Sequence, residues 1–272
     1  MPADNMAVVQ ANGIGIYYEW HGPEGAPVLV LNNGILMNAA ASWAPQTAAF
    51  AESYRVLQYD CRGQGQSDHP AAPYSMAQHA DDLASLLDAL GVSRAHVLGI
   101  SYGGEVSQAF ALRHRARASS LVLADTVSEV GPELRLAVEG WRAAALSGDA
   151  DLLYLVTVPW NFSAAFIERH GALLAAARER YRSLNLPAVA RLCDAFLQVD
   201  FTAGLRLLDI PACIIVGERD LLKGPRYAQI LHGAMRGSRY HVLAGAGHAA
   251  SWEAPAEFNR VVLEFLATVT RV

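Results

Sequence analysis

The chain has 272 residues, 53% of them hydrophobic and 17% charged, with a formal net charge of −5. That much apolar material supports one large core, or a core carrying an insertion, and excludes general disorder. No continuous run of Lys or Arg is present to track phosphates, so a nucleic-acid partner is not expected.

No stretch approaches the roughly 18 consecutive apolar residues of a membrane span. The start, MPADNMAVVQ, lacks the basic-then-apolar pattern of a secretory leader. A cytoplasmic protein without membrane association is the expectation. Cys61, Cys193 and Cys213 are far apart, form no CxxC spacing and leave an odd thiol over. They predict neither a disulfide framework nor a zinc site, but small buried hydrophobes.

In chain order, short β-branched runs predict strands at MAVVQ (6–10), IGIYYEW (14–20), PVLVLN (27–32), YRVLQYD (54–60), AHVLGI (95–100) and SSLVLAD (119–125). In the segment SMAQHADDLASLLDALGV, apolar residues at Met76, Leu83, Leu86, Leu87 and Leu90 follow helical spacing, and Gly91 supplies the stop. Strands resume at IPACIIVG (210–217) and SRYHVLAG (238–245), and a last helix is expected over about Ala254 to Thr268. Alternating strands and helices predict an α/β fold with a mostly parallel eight-stranded sheet covered by helices on both faces.

Between residues 127 and 208 the chain turns to long Ala-, Leu- and Arg-rich stretches without a convincing strand. This predicts a helical cap inserted into a core formed by residues 1–126 and 209–272. Its position places it over the C-terminal edge of the sheet, where ligands bind in open α/β folds. Trp141, Tyr154, Trp160, Phe162 and Phe166 could line a pocket there, although aromatics in a small helical unit more commonly pack it together.

The strongest chemical signal is Gly99-Ile100-Ser101-Tyr102-Gly103-Gly104, between a predicted strand and the helical stretch EVSQAFALRHRA. A serine at a sharp strand-to-helix turn is pushed into the open, and small neighbours let strand and helix approach. Ser101 is therefore the expected nucleophile. A hydroxyl needs a positioned base. Of nine histidines, His248 follows the last predicted strand, in the turn LAGAGHAASWEAP. The imidazole in turn needs a carboxylate. Asp220, which ends CIIVGERD, gives the order Ser, acid, His, and Asp125 is a second place from which an acid could reach the same ring. The oxyanion donors expected are the backbone N–H of Tyr102 and that of Ile35, in the loop Asn32-Asn33-Gly34-Ile35 after the third strand.

These pieces together resemble the α/β-hydrolase superfamily over nearly the whole chain. YDCRGQGQSDHP (59–70) is similar to the superfamily's D-x-R-G-x-G-x-S segment, with Asp60, Arg62, Gly63, Gly65 and Ser67 in the matching places. That segment is structural in the superfamily. Within it, the length, the cap and the ending GAGHAASWEAPAEFNRVVLEFL look most similar to 3-oxoadipate enol-lactonases, related carboxylesterases and C–C bond hydrolases. Many members carry His-Gly where this chain has Asn33-Gly34, so Asn33 is a candidate substrate contact, a structural role being the alternative for it, with Trp160 and Trp252 as further candidates. A serine at position 101, with no aspartate there, argues against haloalkane dehalogenase and soluble epoxide hydrolase chemistry.

The expected function is hydrolysis of a small ester, lactone or thioester through an acyl-enzyme, without metal or organic cofactor. An acyltransferase, a cyclising enzyme, a thioesterase acting on a carrier-bound chain and a ligand receptor retaining the triad are the rivals. A homodimer through the apolar cap surface is left open.

Overall fold

The computed structural model describes residues 6–270; residues 1–5, half of the stretch read for a leader, and residues 271–272 lie outside them. The eight strands are β1 (Met6–Ala11), β2 (Ile14–His21), β3 (Val28–Asn32), β4 (Arg55–Tyr59), β5 (Ala95–Ile100), β6 (Ala118–Ala124), β7 (Ala212–Gly217) and β8 (Arg239–Leu243). They form one sheet in the order β1-β2-β4-β3-β5-β6-β7-β8. β1 pairs antiparallel with β2 and β2 with β4, and every other neighbour is parallel. Asn12-Gly13 turns β1 into β2 with φ of 48° and 78°. A tight hairpin of this kind needs positive φ at both central residues, which Asn and Gly tolerate.

The strands read as continuous apolar runs because both faces of the sheet are covered. Along β3, Leu29 and Leu31 pack into one core while Val30 joins the other; Leu98 and Ile100 oppose Val97 in β5, and Cys213 and Ile215 oppose Ile214 and Val216 in β7.

Helices α1 (Ala39–Trp43) and α2 (Thr47–Ala51) lead into β4, α3 (Met76–Ala89) precedes β5, and α4 (Tyr102–Arg113) follows it. Ser75 caps α3 by accepting from the Gln78 N–H, and Gly91, at φ 68°, lies just past its C-cap. Six helices then separate β6 from β7: α5 (Pro132–Leu146), α6 (Ala150–Asn161), α7 (Ala164–Arg169), α8 (Gly171–Tyr181), α9 (Leu186–Phe196) and α10 (Thr202–Leu205). After β7 come α11 (Pro225–Ala234), α12 (Ala250–Glu253) and α13 (Pro255–Val269). Helices α1, α2, α11 and α12 go beyond what the sequence pattern predicts, although Pro225 stands in the first turn of α11, as helix starts favour.

The helical insertion leaves and rejoins the core at one neck. Glu129 and Asp200 form an isolated antiparallel bridge, the Phe201 N–H donates to the Ser128 carbonyl, and the Thr202 hydroxyl donates to Glu129. The interior of the insertion, with Leu134, Val138, Trp141, Leu192 and Phe196, is continuous with the core beneath it. All three cysteines are buried and free, and burial pushes their thiols up to about 12. No helix among the described residues is long and apolar enough to cross a membrane.

His79 of α3 is buried under this fold, and its Nε2 is hydrogen-bonded to the Tyr102 hydroxyl at 2.8 Å. Burial first, and then the charge of Arg62, lowers its pKa from 6.5 to about 3. Below about 6.5 the unfolded chain takes up a proton here that the native state refuses. Stability is therefore fully present above that pH and falls as the pH drops toward 3, by up to about 1.4 kcal/mol per pH unit from this group. Urea midpoints measured between pH 7 and 4 should show a shallower decline for His79→Gln than for the wild type. An unchanged slope would mean that His79 gains its proton without unfolding the chain.

Candidate active site

β5 ends at Ile100 and α4 begins at Tyr102, which leaves Ser101 alone to make the turn, at φ 53° and ψ −121°. A non-glycine residue held there costs roughly 1–3 kcal/mol and persists only if its surroundings enforce it. The surroundings are backbone and the short side chain of Thr126. A Cβ at Gly99 would lie 2.1 Å from the Gly103 carbonyl oxygen, one at Gly103 2.0 Å from the Asn32 carbonyl oxygen, and one at Gly104 2.4 Å from the Thr126 Cβ. The Ser101 N–H donates to the Ala124 carbonyl at 2.9 Å, which fixes the turn against β6.

The loop after β8 brings His248 to this serine. With the imidazole proton on Nδ1, the Ser101 hydroxyl donates to Nε2 at 2.8 Å, and Nδ1–H donates to Asp220 Oδ2 at 2.8 Å. The other oxygen of Asp220 accepts the backbone N–H groups of Leu222 and Lys223, each at 2.8 Å. Every face of this buried carboxylate is used, so the acid and its loop hold each other. Asp125 has a different place. Its Oδ1 accepts the Gly217 N–H at 2.8 Å and its Oδ2 the Ala250 N–H at 3.3 Å, so it braces the end of β7 and the start of α12. Burial, with the nearby Asp220 as the next cause, raises its pKa well above the ordinary carboxylate range.

The Asn32–Ile35 loop passes directly over the serine: a Cβ at Gly34 would lie 3.9 Å from Ser101 Cβ. Tyr102 opens α4, and the first N–H groups of a helix have no partner within it. The loop is shaped by a residue that sequence reading misses. Gln64 Nε2 donates to the carbonyls of Gly34 and Ile35, both at 2.9 Å, and Gln64 Oε1 accepts from Asn33 Nδ2 at 3.0 Å. Gln64 is one of the x positions of the D-x-R-G-x-G-x-S segment, and nothing in the sequence announces that its side chain turns toward the serine. The segment itself is a knot. Asp60 accepts from the Ala39 and Gln66 N–H groups, Arg62 makes a two-bond ion pair with buried Asp82, and Ser67 donates to the Asp60 carbonyl. Gly65, at φ 50°, is required because a Cβ there would lie 2.0 Å from Asp60 Oδ2.

A cavity opens beside Ser101 and His248. Its wall is mostly apolar and is shared by the core, through residues such as Leu36, Met37 and Trp252, and the helical insertion, through residues such as Trp141, Phe162 and Leu174. The Trp252 indole N–H is committed to the Ser42 carbonyl at 3.1 Å.

Two expected contacts are corrected. Trp160 is not on the wall: Val158 of α6 faces the cavity, and at about 100° per residue Trp160, two positions on, falls on the opposite side, where it is 40% exposed. Asn33 does not reach the cavity either; it is fully buried, with Nδ2 donating to the Met37 carbonyl at 2.7 Å and to Gln64. Tyr154 and Phe166 are likewise absent from the lining, whereas Tyr181 is part of it. Among the described residues no group of three or more His, Cys, Asp or Glu side chains could hold a metal ion.

Residues 27–255 match the family model described as the alpha/beta hydrolase fold. The chain is 31% identical to a putative carbamate hydrolase, RutD, of Caulobacter segnis, over 93% of this chain and 96% of that protein. It is 27% identical to 3-oxoadipate enol-lactonase 1 of Acinetobacter baylyi, over 97% and 98%. Among solved structures, the enol-lactonase of Burkholderia xenovorans superposes with a TM-score of 0.90 at 31% identity, over 96% of this chain and all of that one.

The Gln64 bonds predict that Gln64→Leu will slow labelling of Ser101 by a fluorophosphonate about tenfold or more, because the loop over the serine loses three hydrogen bonds. Labelling rates from mass spectrometry of intact protein would check this. A wild-type rate would show that the loop holds its shape unaided.

Proposed function

The chain belongs to the α/β-hydrolase fold family, and from that premise we propose that it is a serine hydrolase of small carboxylic esters or lactones. The observation that carries this reading is the unbroken line from Ser101 through His248 to Asp220, opening on an apolar cavity. The enol-lactonase relatives, in sequence and in structure, support the substrate class.

In the proposed mechanism His248 Nε2 takes the Ser101 proton as the oxygen attacks the substrate carbonyl. The Ile35 and Tyr102 N–H groups receive the oxyanion. Asp220 fixes the tautomer and stabilises the imidazolium. The tetrahedral adduct collapses as His248 returns the proton to the leaving oxygen, which leaves an acyl group on Ser101. Water then attacks, giving its proton to the same nitrogen, and the second collapse releases the acid and restores Ser101. The insertion acts as a cap that closes the cavity over the acyl chemistry.

A second reading, cleavage of a carbamate C–N bond, is favoured by the similarity to the putative carbamate hydrolases. It needs the same residues, with an amine as the leaving group.

Release of 4-nitrophenol from butyrate and pentanoate esters should fall at least a thousandfold in Ser101→Ala, with loss of any burst. Asp220→Asn should cost about 10³ to 10⁴ in kcat at an intact fold. Faster turnover of simple carbamates than of esters would favour the second reading. Undiminished rates in Ser101→Ala, or tight binding of these compounds without turnover, would overturn the serine-hydrolase reading.

A further inference from the structure

The chain contains a single lysine, Lys223, and it is buried. Its backbone and its side chain serve two different groups. The backbone N–H is one of the two that hold Asp220 Oδ1, at 2.8 Å. The ammonium reaches from that loop to α4, where Nζ donates to both oxygens of Glu105, at 3.0 and 2.9 Å, and it lies 4.3 Å from the centre of the Phe196 ring of α9. Glu105 is fully buried and stands four residues after Ser101, in the first turn of the nucleophile's helix. Its Oε1 also accepts the Val127 N–H at 2.9 Å and the Thr126 hydroxyl, whose oxygen is 3.0 Å from the Ser101 carbonyl.

The loop that carries Asp220 is fixed on one side by main chain. The Glu218 and Arg219 N–H groups donate to the Leu243 and Ala246 carbonyls, at 3.0 and 2.8 Å, which joins it to the stretch leading to His248. Toward the nucleophile's helix it has, among the described residues, one polar tie, the Lys223–Glu105 pair. A buried ion pair adds little net stability over an apolar pair of similar volume, so stability is a poor reason for the one ammonium of this chain to leave water. What the pair supplies is direction. Two charge-assisted bonds onto a carboxylate that is itself held by Val127 and Thr126 set a distance that apolar contact would leave loose.

We propose that Glu105 and Lys223 are a positioning pair, which holds the Asp220 loop against the nucleophile's helix and, through Asp220, keeps the His248 ring in line with Ser101. This assignment rests on the serine-hydrolase reading above. The two members act on the reaction through the acid, and a displacement of about 1 Å at such a distance from the chemistry can cost on the order of a hundredfold in rate.

The test is a double-mutant cycle between the pair and the acid. Lys223→Met/Glu105→Gln removes both charges together and strands no ion, and the amide oxygen still accepts from Val127 and Thr126. Turnover of 4-nitrophenyl butyrate is measured in the wild type, in this variant, in Asp220→Asn and in the combination. The pair variant is expected to keep KM within about twofold and to lose about tenfold or more in kcat. In the Asp220→Asn background the same replacement should cost less than about threefold, because an asparagine fails to hold the right tautomer wherever its loop stands. Glu105→Gln alone, which keeps the ammonium, should show the same coupling at smaller size. Equal losses in the two backgrounds, or an unchanged kcat, would make the pair purely structural. The downfield proton resonance of the His248 Nδ1–H reads the bond to Asp220 without turnover. It should broaden and move upfield in the pair variant, and an unmoved resonance would overturn the assignment. Failure of the underlying reading has a separate signature, since Ser101→Ala would then keep its rate while that resonance still shifted in the pair variant.

Discussion

The backbone strain at Ser101 is the constraint on which the rest of this molecule turns. A positive φ at a side-chain-bearing residue survives only where the chain on either side has no freedom to relax it. Here α4 is pressed so closely against β5 and the end of β3 that glycine is the only residue that fits at Gly99 and Gly103, and β6 anchors the serine's own N–H. The enclosing sheet, buried on both faces, is what makes that pressure sustainable. A less thoroughly packed α/β core would release the turn and withdraw the hydroxyl.

Two buried carboxylates near the histidine show how similar residues receive different work from their surroundings. Asp220 and Asp125 both follow central parallel strands and both hold backbone N–H groups. Asp220 keeps one oxygen for the imidazole, whereas Asp125 spends both on main chain, at a φ of 45°. Burial, and after it the nearness of the first, raises the pKa of the second.

Much of this was legible in the residues themselves. Runs such as Val97-Leu98 and Ile214-Ile215 announce strands covered on both sides, and Gly99-x-Ser101-x-Gly103 announces the turn because the chemistry of the backbone demands small residues there. The order of Ser101, Asp220 and His248 follows from the topology. What escaped the sequence is what depends on side-chain direction across long separations. Gln64 reaches the loop over the serine from 30 residues away, and Glu105 meets Lys223 from 118 residues away. Neither spacing has a local period to betray it. Trp160 failed for a simpler reason: composition suggests an aromatic pocket, but only the helical phase of α6 decides which aromatic faces inward.

The insertion is tied down at more than its neck. The Ala249 N–H donates to the Asn161 carbonyl at 2.8 Å, and Glu253 accepts both the backbone N–H and the hydroxyl of Ser163, so the histidine loop grips the end of α6 and the start of α7. By contrast Leu173, Leu174, Ala177 and Arg180 of α8 line the cavity from a helix whose residues lie far along the chain from the serine and its partners. Part of the molecule's taste therefore resides on a stretch of chain separable from the bond-making groups. A lineage could exchange one foodstuff for another by drift along a single outer helix, leaving its inherited chemistry untouched.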